Sequence, residues 1–205
     1  MRILAVAATE AEIPRLATGR HGSHHLDVLI TGVGMVATAA QTARALTATS
    51  YDVAFNFGVC GSFDRSVSLG AVVHVTIDQL SELGAEEGER FIPFDALGLP
   101  GRAVFVNDAA PDNPALRELP VVTGITVNTV HGHEPTIAAV QSRLQPQVES
   151  MEGAAFAHAC SLIGVPYAQV RAVSNVIERR NRDAWRMELA IRNLNDVALQ
   201  IIERA

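Results

Sequence analysis

The chain has 205 residues, the length of one domain, and its balance of 48% hydrophobic to 19% charged residues leaves ample material for a core and no case for disorder. A formal net charge of −6 speaks against nucleic acid or an anionic membrane surface as a partner. All 16 basic residues are arginine, which excludes lysine-dependent chemistry such as Schiff bases and the P-loop. The two cysteines, Cys60 and Cys160, are too few for a disulfide framework or a Cys-based zinc site.

In chain order, Ile3–Ala8 predicts a buried strand and Glu10–Ala17 a short helix with its acids in the first turn, where the helix dipole favours them. Leu26–Thr31 predicts a second strand, closed by Gly32-Val33-Gly34 ahead of an Ala- and Thr-rich helix over Met35–Thr49. Val53–Phe57 predicts a third strand, followed by a glycine turn over Gly58–Gly61, and Ala71–Ile77 a fourth. Ser81–Gly101 is polar, Gly-rich and aperiodic, the pattern of a loop excursion. Strands follow at Ala103–Asn107 and Val121–Thr126, helices at His133–Arg143 and Gly153–Ile163, and a last central strand at Tyr167–Val173. Ala184–Arg204 closes the chain as an amphipathic helix, with Leu189, Leu194, Val197 and Ile201 near helical spacing. Apolar strands alternating with helices predict an α/β fold: a three-layer α/β/α single domain over residues 1–205 around a largely parallel central mixed sheet. The first apolar run gives way to Glu10 and Glu12, unlike a signal peptide, and the longest uncharged stretch, Gly153–Val170, is too polar to span a membrane, so a cytoplasmic protein is expected.

Such sheets bind ligands at the carboxyl ends of their strands. That places the interesting residues at Thr9–Glu12, Gly32–Gly34, Gly58–Gly61, Asn128–His131, Ser150–Glu152 and Ser174–Glu178. Gly32–Ala37 fits the G-x-G-x-x-A pattern of dinucleotide binding, but the only acid at the right distance, Asp52, precedes its strand. A tight turn explains the glycines better. The histidines His21, His24 and His25, and the pair His131 and His133, lack a placed third ligand, so neither a metal nor a cofactor is expected. Taken singly, Glu10 and Glu12 read as helix N-terminal acids, Ser150 as a cap for the helix that follows, and Asn175 as a turn former.

Together these residues carry more. A first strand followed by Glu12, a Gly-rich segment after the third strand, Val148-Glu149-Ser150-Met151-Glu152-Gly153-Ala154-Ala155, and Arg171-Ala172-Val173-Ser174-Asn175 resemble the nucleoside phosphorylase and nucleosidase superfamily over essentially the whole chain. Thr126–Val130 and Ser174–Arg182 look most like its futalosine-hydrolysing branch, purine nucleosidases of a route to menaquinone. The resemblance implies that Glu12 positions and activates water, that Met151 packs on the ribose, and that Glu152 grips its hydroxyls. It further implies that Ser174 stands where the family has a serine, that Asn175 stands where its purine-facing acid sits, and that the base is sandwiched by Asn128–His131, with His131 stacking on it. A purine nucleoside as small-molecule partner and a homo-oligomer, dimer or larger, are implied as well. Adenosine-type members of the family carry Asp where this chain has Asn175. An amide NH₂ donates to N7 and O6 of a 6-oxopurine, whereas an ionised Asp donates to neither, so the expected leaving base is hypoxanthine. The arginine cluster Arg179, Arg180 and Arg182, with Arg179 foremost, is the candidate for the aryl carboxylate at the 5′ end of futalosine.

N-glycosidic hydrolysis passes through an oxocarbenium-like sugar and needs an anion near it and a base for water, roles that Glu152 and Glu12 suit. A phosphorylase needs cations near the first strand, where this chain has Glu10 and Glu12, so hydrolysis is favoured over phosphorolysis. The alternatives are a methylthioadenosine/S-adenosylhomocysteine-type nucleosidase, a purine nucleoside phosphorylase and, from another class, a non-catalytic nucleoside-binding module. A binding module has no use for a water-activating carboxylate.

Overall fold

The computed structural model describes all residues from Met1 to Ala205. The chain runs β1 (Arg2–Ala7), β2 (Gly19–His21), β3 (His24–Ile30), α1 (Met35–Ala48), β4 (Val53–Ser62), β5 (Val72–Leu80), β6 (Gly84–Glu87), β7 (Arg90–Pro93) and β8 (Val104–Val106). It continues through α2 (Pro114–Arg117), β9 (Val121–Thr126), α3 (Glu134–Leu144), β10 (Val148–Ser150), α4 (Gly153–Ile163), β11 (Tyr167–Val176) and α5 (Met187–Glu203). Nine strands form one mixed sheet in the order β10-β9-β5-β11-β4-β1-β3-β2, with β8 on β5. Pairings β1–β3, β1–β4, β4–β11, β5–β9 and β9–β10 are parallel; β5–β11, β2–β3, β5–β8 and β4–β10 are antiparallel. The last of these closes the curled end of the sheet, because β10 pairs with β9 on one side and β4 on the other.

Both faces of the sheet are covered, which is why its strands read as unbroken apolar runs. In β1, Ile3, Ala5 and Ala7 pack with Ala190, Leu194, Ala198, Ile201 and Ile202 of α5, while Leu4 and Val6 pack on the opposite face with Ala154, Phe156, Ala157 and Cys160 of α4. The helix α1 lies against α4. This is the expected three-layer α/β/α arrangement.

The structure corrects several local expectations. Glu10–Ala17 is not a helix: Glu12 and Ile13 make i→i+3 bonds back to Thr9 and Glu10 (3.2 and 3.3 Å), and Pro14, with no N–H to give, stops the ladder from extending. Gly58–Gly61 is not a turn but the second half of β4; its glycines are there because neighbouring side chains need the space of a Cβ. Part of the Ser81–Gly101 excursion is the hairpin β6–β7, turned at Gly88 (φ +62°) and followed by a 3₁₀ turn at Phe94–Ala96. The closing helix starts at Met187 rather than Ala184, the residues Arg182–Ala184 forming a separate 3₁₀ turn. No helix is long and apolar enough to cross a membrane.

Candidate active site

A cavity of about 350 Å³ opens where the carboxyl ends of β1, β4, β10 and β11 meet the start of α5. Ala8, Thr9, Glu12, Val33, Val59, Cys60, Gly61, Val130, Glu149, Ser150, Met151, Glu152, Ser174, Asn175, Trp185, Met187 and Ile191 are among its lining residues. Three of these are carboxylates and none is a cation.

Glu12 sits on the turn after β1, and its spacing from Thr9 lets the carboxylate reach back in the manner of a capping box. Oε2 accepts from the Thr9 N–H (3.0 Å) and lies 3.2 Å from its hydroxyl, and Oε1 accepts from the Val59 N–H (3.1 Å). The turn is fastened from behind by Asn195, fully buried on α5. Its Nδ2 donates to the Glu12 carbonyl (2.9 Å) and its Oδ1 accepts from the Arg15 N–H (3.1 Å).

Glu152 occupies the N-cap position of α4, yet its carboxylate does not cap that helix. Oε1 accepts from the Gly34 N–H (3.0 Å) and Oε2 from the Met151 N–H (3.3 Å). Gly34 holds φ +96°, a left-handed value that glycine adopts without a Cβ penalty, and so can aim its N–H at the carboxylate. The first turn of α4 is satisfied from β9 instead: the Ala154 N–H donates to Thr126 Oγ1 (2.8 Å). Ser150 caps nothing; its hydroxyl has no hydrogen-bond partner.

Behind both acids lies Arg171 of β11, only 1% exposed. One Nη donates to Asn56 Oδ1 and the other stands 3.8 Å from Glu152 Oε2. A Cβ at Gly58 would collide with that same Nη and come within 3.0 Å of Glu12 Oε1, so the guanidinium occupies the space the glycine leaves, close to both carboxylates. Deeper in the same layer Asp78 accepts from Thr126 Oγ1 (2.9 Å) and Gln169 Nε2 (3.0 Å). Burial pushes its carboxyl up to about 6, against the pull of those two bonds and the Arg171 charge. Burial likewise raises the Cys60 thiol to about 12, which keeps it an unreactive lining group.

Asn175 owes its orientation to a bulge. Across β4, Cys60 pairs with Val173 and Gly61 with Asn175, so Ser174 is the extra residue that re-aims the strand end toward the cavity. The Ser174 hydroxyl lies 3.1 Å from the Cys60 carbonyl and 2.9 Å from Asn175 Oδ1, and Asn175 Nδ2 donates to the Val176 carbonyl (3.1 Å).

Of the residues singled out from the sequence, the structure brings Glu12, Met151, Glu152, Ser174 and Asn175 to this one cavity. His131 borders an adjoining small cavity, its ring against Glu149, and the neighbouring Val130 lines the main one. Asn128 is exposed, its N–H and Nδ2 each 3.3 Å from Glu82 Oε2, outside the cavity. Arg179 lines a separate open groove of about 590 Å³ with Arg65, Glu134 and Arg180. The structure also assembles residues that sequence reasoning passed over. Arg171 stood inside a quoted motif, and the T-x-x-E spacing at Glu12 was visible. Thr126 opened the Thr126–Val130 string, and nothing local marked Asn195, Asp78 or the α5 residues Met187 and Ile191.

The model of the Phosphorylase superfamily matches residues 6–203. The chain belongs to the Phosphorylase superfamily. Within it, the futalosine hydrolase of Streptomyces coelicolor is 34% identical over 182 residues, covering 83% of this chain and 75% of that protein. The futalosine hydrolase of Acidothermus cellulolyticus is 33% identical over 216 residues, covering 93% and 86%. Among solved structures, the native futalosine hydrolase of Helicobacter pylori superposes with a TM-score of 0.85 at 15% identity, covering all of this chain and 98% of that one. At that identity the structural likeness speaks for the fold, and the superfamily's fold is the one described above.

Proposed function

We propose that the chain is a purine nucleosidase that hydrolyses the N-glycosidic bond of futalosine, releasing hypoxanthine and dehypoxanthine futalosine in menaquinone biosynthesis. The observation that carries the reading is the cavity lining: Glu12, Glu152 and Asn175 converge in it with no cation among the residues that line it. The carboxylates of Glu12 and Glu152 repel phosphate, which supports water as the nucleophile. The similarity to named futalosine hydrolases supports the substrate.

In this reading Glu152 accepts hydrogen bonds from the ribose hydroxyls and offsets the positive charge that develops on the sugar. Glu12, its orientation fixed by Thr9 and Val59, takes a proton from the attacking water as general base. Met151 supplies an apolar surface for the ribose. Asn175 donates to the N7/O6 edge of the base with the amide hydrogen that the Val176 carbonyl does not take, and Ser174 holds the amide oxygen. Residues 1–205 act as one nucleosidase domain, in the cytoplasm, as a homo-oligomer of at least two copies.

The test is base release followed by chromatography from futalosine, aminofutalosine, inosine and methylthioadenosine, each with and without phosphate. Hypoxanthine from futalosine at a rate independent of phosphate is the expected result. Adenine from methylthioadenosine instead would overturn the assignment of Asn175, and a strict phosphate requirement would overturn hydrolysis.

A further inference from the structure

The nucleosidase reading leaves one need unmet. Hypoxanthine departs with the bonding electron pair and is a poor leaving group until protonated, and the amide of Asn175 hydrogen-bonds but has no proton to yield. At the same end of the cavity stands a carboxylate with no part in the steps above. Glu149 on β10 pairs with Gly61 of β4, and Asn175 on β11 pairs with the same Gly61 from the other side. The three residues therefore form one row across three strands, with about 10 Å between the outer Cα atoms and no side chain on the central residue. Glu149 and Asn175 both line the main cavity, so a purine edge seated in it meets both side chains.

Glu149 is 4% exposed, and what it touches is unusual for a buried acid. Its Oε1 accepts from the His131 N–H (2.9 Å), and its Oε2 is hydrogen-bonded to His131 Nδ1. The His131 ring leads outward: it also borders a second cavity lined by Glu82, Phe91 and Arg143, on the solvent side. Gly61, His131, Glu149, Asn175 and Trp185 together enclose a space of about 70 Å³ that adjoins the main cavity. Burial raises the Glu149 carboxyl, as does the charge of Glu82, while His131 pulls the other way; Glu178 and Arg180 are the further charged groups around this space. A fastening role alone explains the pair poorly, because a buried carboxylate–imidazole contact stabilises no better than apolar packing of the same volume.

We propose that Glu149 and His131 act as the acid of this reaction, Glu149 delivering a proton to the departing purine and His131 replacing it from solvent. The proposal rests on the nucleosidase reading. As the C1′–N9 bond breaks, its electron pair leaves with the base and the proton held between Glu149 and His131 moves to a base nitrogen. The water oxygen bonds to C1′ and its proton goes to Glu12. After product release Glu12 returns its proton to solvent, and the pair takes one up through His131 Nε2. The sum is nucleoside plus water giving sugar plus purine.

The test compares kcat and KM between pH 5 and 9 for the full-length wild type, Glu149→Gln and His131→Gln, with thermal denaturation as a folding check. An acid must be protonated to act, so wild-type kcat is expected to fall as pH rises through the titration of Glu149, which burial raises. Glu149→Gln is expected to lower kcat about 10²–10⁴-fold and to abolish that alkaline limb while KM changes little. His131→Gln is expected to displace the limb, because it alters the partner and not the acid. A folded Glu149→Gln that keeps the wild-type limb, or that loses only in KM, overturns the proposal and leaves the nucleosidase reading standing. A wild type that releases no base from any purine nucleoside overturns that reading itself.

Discussion

Gly58→Ala is a small change with a large expected effect. The added Cβ lands on the Nη of Arg171 that faces Glu152, 3.3 Å from Cζ and 3.0 Å from Glu12 Oε1. Ordinary contact needs about 3.5–4.0 Å, so the guanidinium has to retreat by about 1 Å or more. It has nowhere to go: Arg171 is 1% exposed and tied to Asn56 Oδ1, which in turn is held by a bond from its own Nδ2 to the Val6 carbonyl (3.0 Å). Overpacking costs about 1–3 kcal/mol, and pulling a buried charged donor off its acceptor adds about 1.5–3 kcal/mol. A loss of about 3–5 kcal/mol lowers the Tm of a chain this size by about 6–20 °C. Because the same guanidinium stands beside Glu12 and Glu152, the surviving folded fraction should lose about 10²-fold in kcat. The assay is calorimetry plus single-turnover base release, with Gly132→Ala as control, whose new Cβ meets nothing closer than Arg180 Cβ at 3.6 Å. A Gly58→Ala protein with the Tm and kcat of the control would refute the argument that Arg171 fills the glycine's space and orders both acids.

Other consequences are as direct. Glu12→Gln keeps the carbonyl oxygen but removes the base, so kcat for base release should drop about 10²–10⁴-fold with KM little changed. Asn175→Asp places an acceptor against O6, and competition assays should show the hypoxanthine-releasing kcat/KM falling by about 10⁴ relative to a 6-aminopurine nucleoside. Asp78 ionises near 3.8 when unfolded and at about 6 when folded, so its contribution to stability is complete below pH 4 and is lost as pH rises through 6; the difference amounts to roughly 3 kcal/mol. Buried His74, lowered to about 4, changes stability in the opposite sense over the same window, so the test is the difference. In urea titrations at pH 4 and pH 8 the wild type should lose roughly that much relative to Asp78→Asn. Asn195→Ala, which frees the Glu12 carbonyl and the Arg15 N–H, should cost about 1–3 kcal/mol by denaturant unfolding and lower kcat more than it raises KM.

Where sequence reasoning went astray, a tertiary contact had overridden a local signal. The acids at Glu10 and Glu12 read as the first turn of a helix, but Pro14 and the bonds from Glu12 to Thr9 and Val59 turn the segment into a short loop. The glycines of Gly58–Gly61 read as a turn because a lone sequence cannot distinguish a glycine needed for φ > 0 from one needed for room. Here room is the reason: Arg171 lies over Gly58, and Ile177 and Asn175 over Gly61. The polar hairpin β6–β7 was hidden because it packs on no core that would impose an apolar alternation.

Periodicity was enough for the layered fold, since strands buried on both faces must be apolar throughout and covering helices must carry a stripe. The resemblance to the superfamily was enough to single out Glu12, Met151, Glu152, Ser174 and Asn175, which lie at or just past the carboxyl ends of strands that deliver them to one edge of the sheet. What only the tertiary structure decided is which other groups stand beside them. Closure of β10 onto β4 sets Glu149 across Gly61 from Asn175, and the return of α5 puts Asn195 behind Glu12. Those partners come from residues 88 and 183 positions apart, and no local pattern records a contact made at that range.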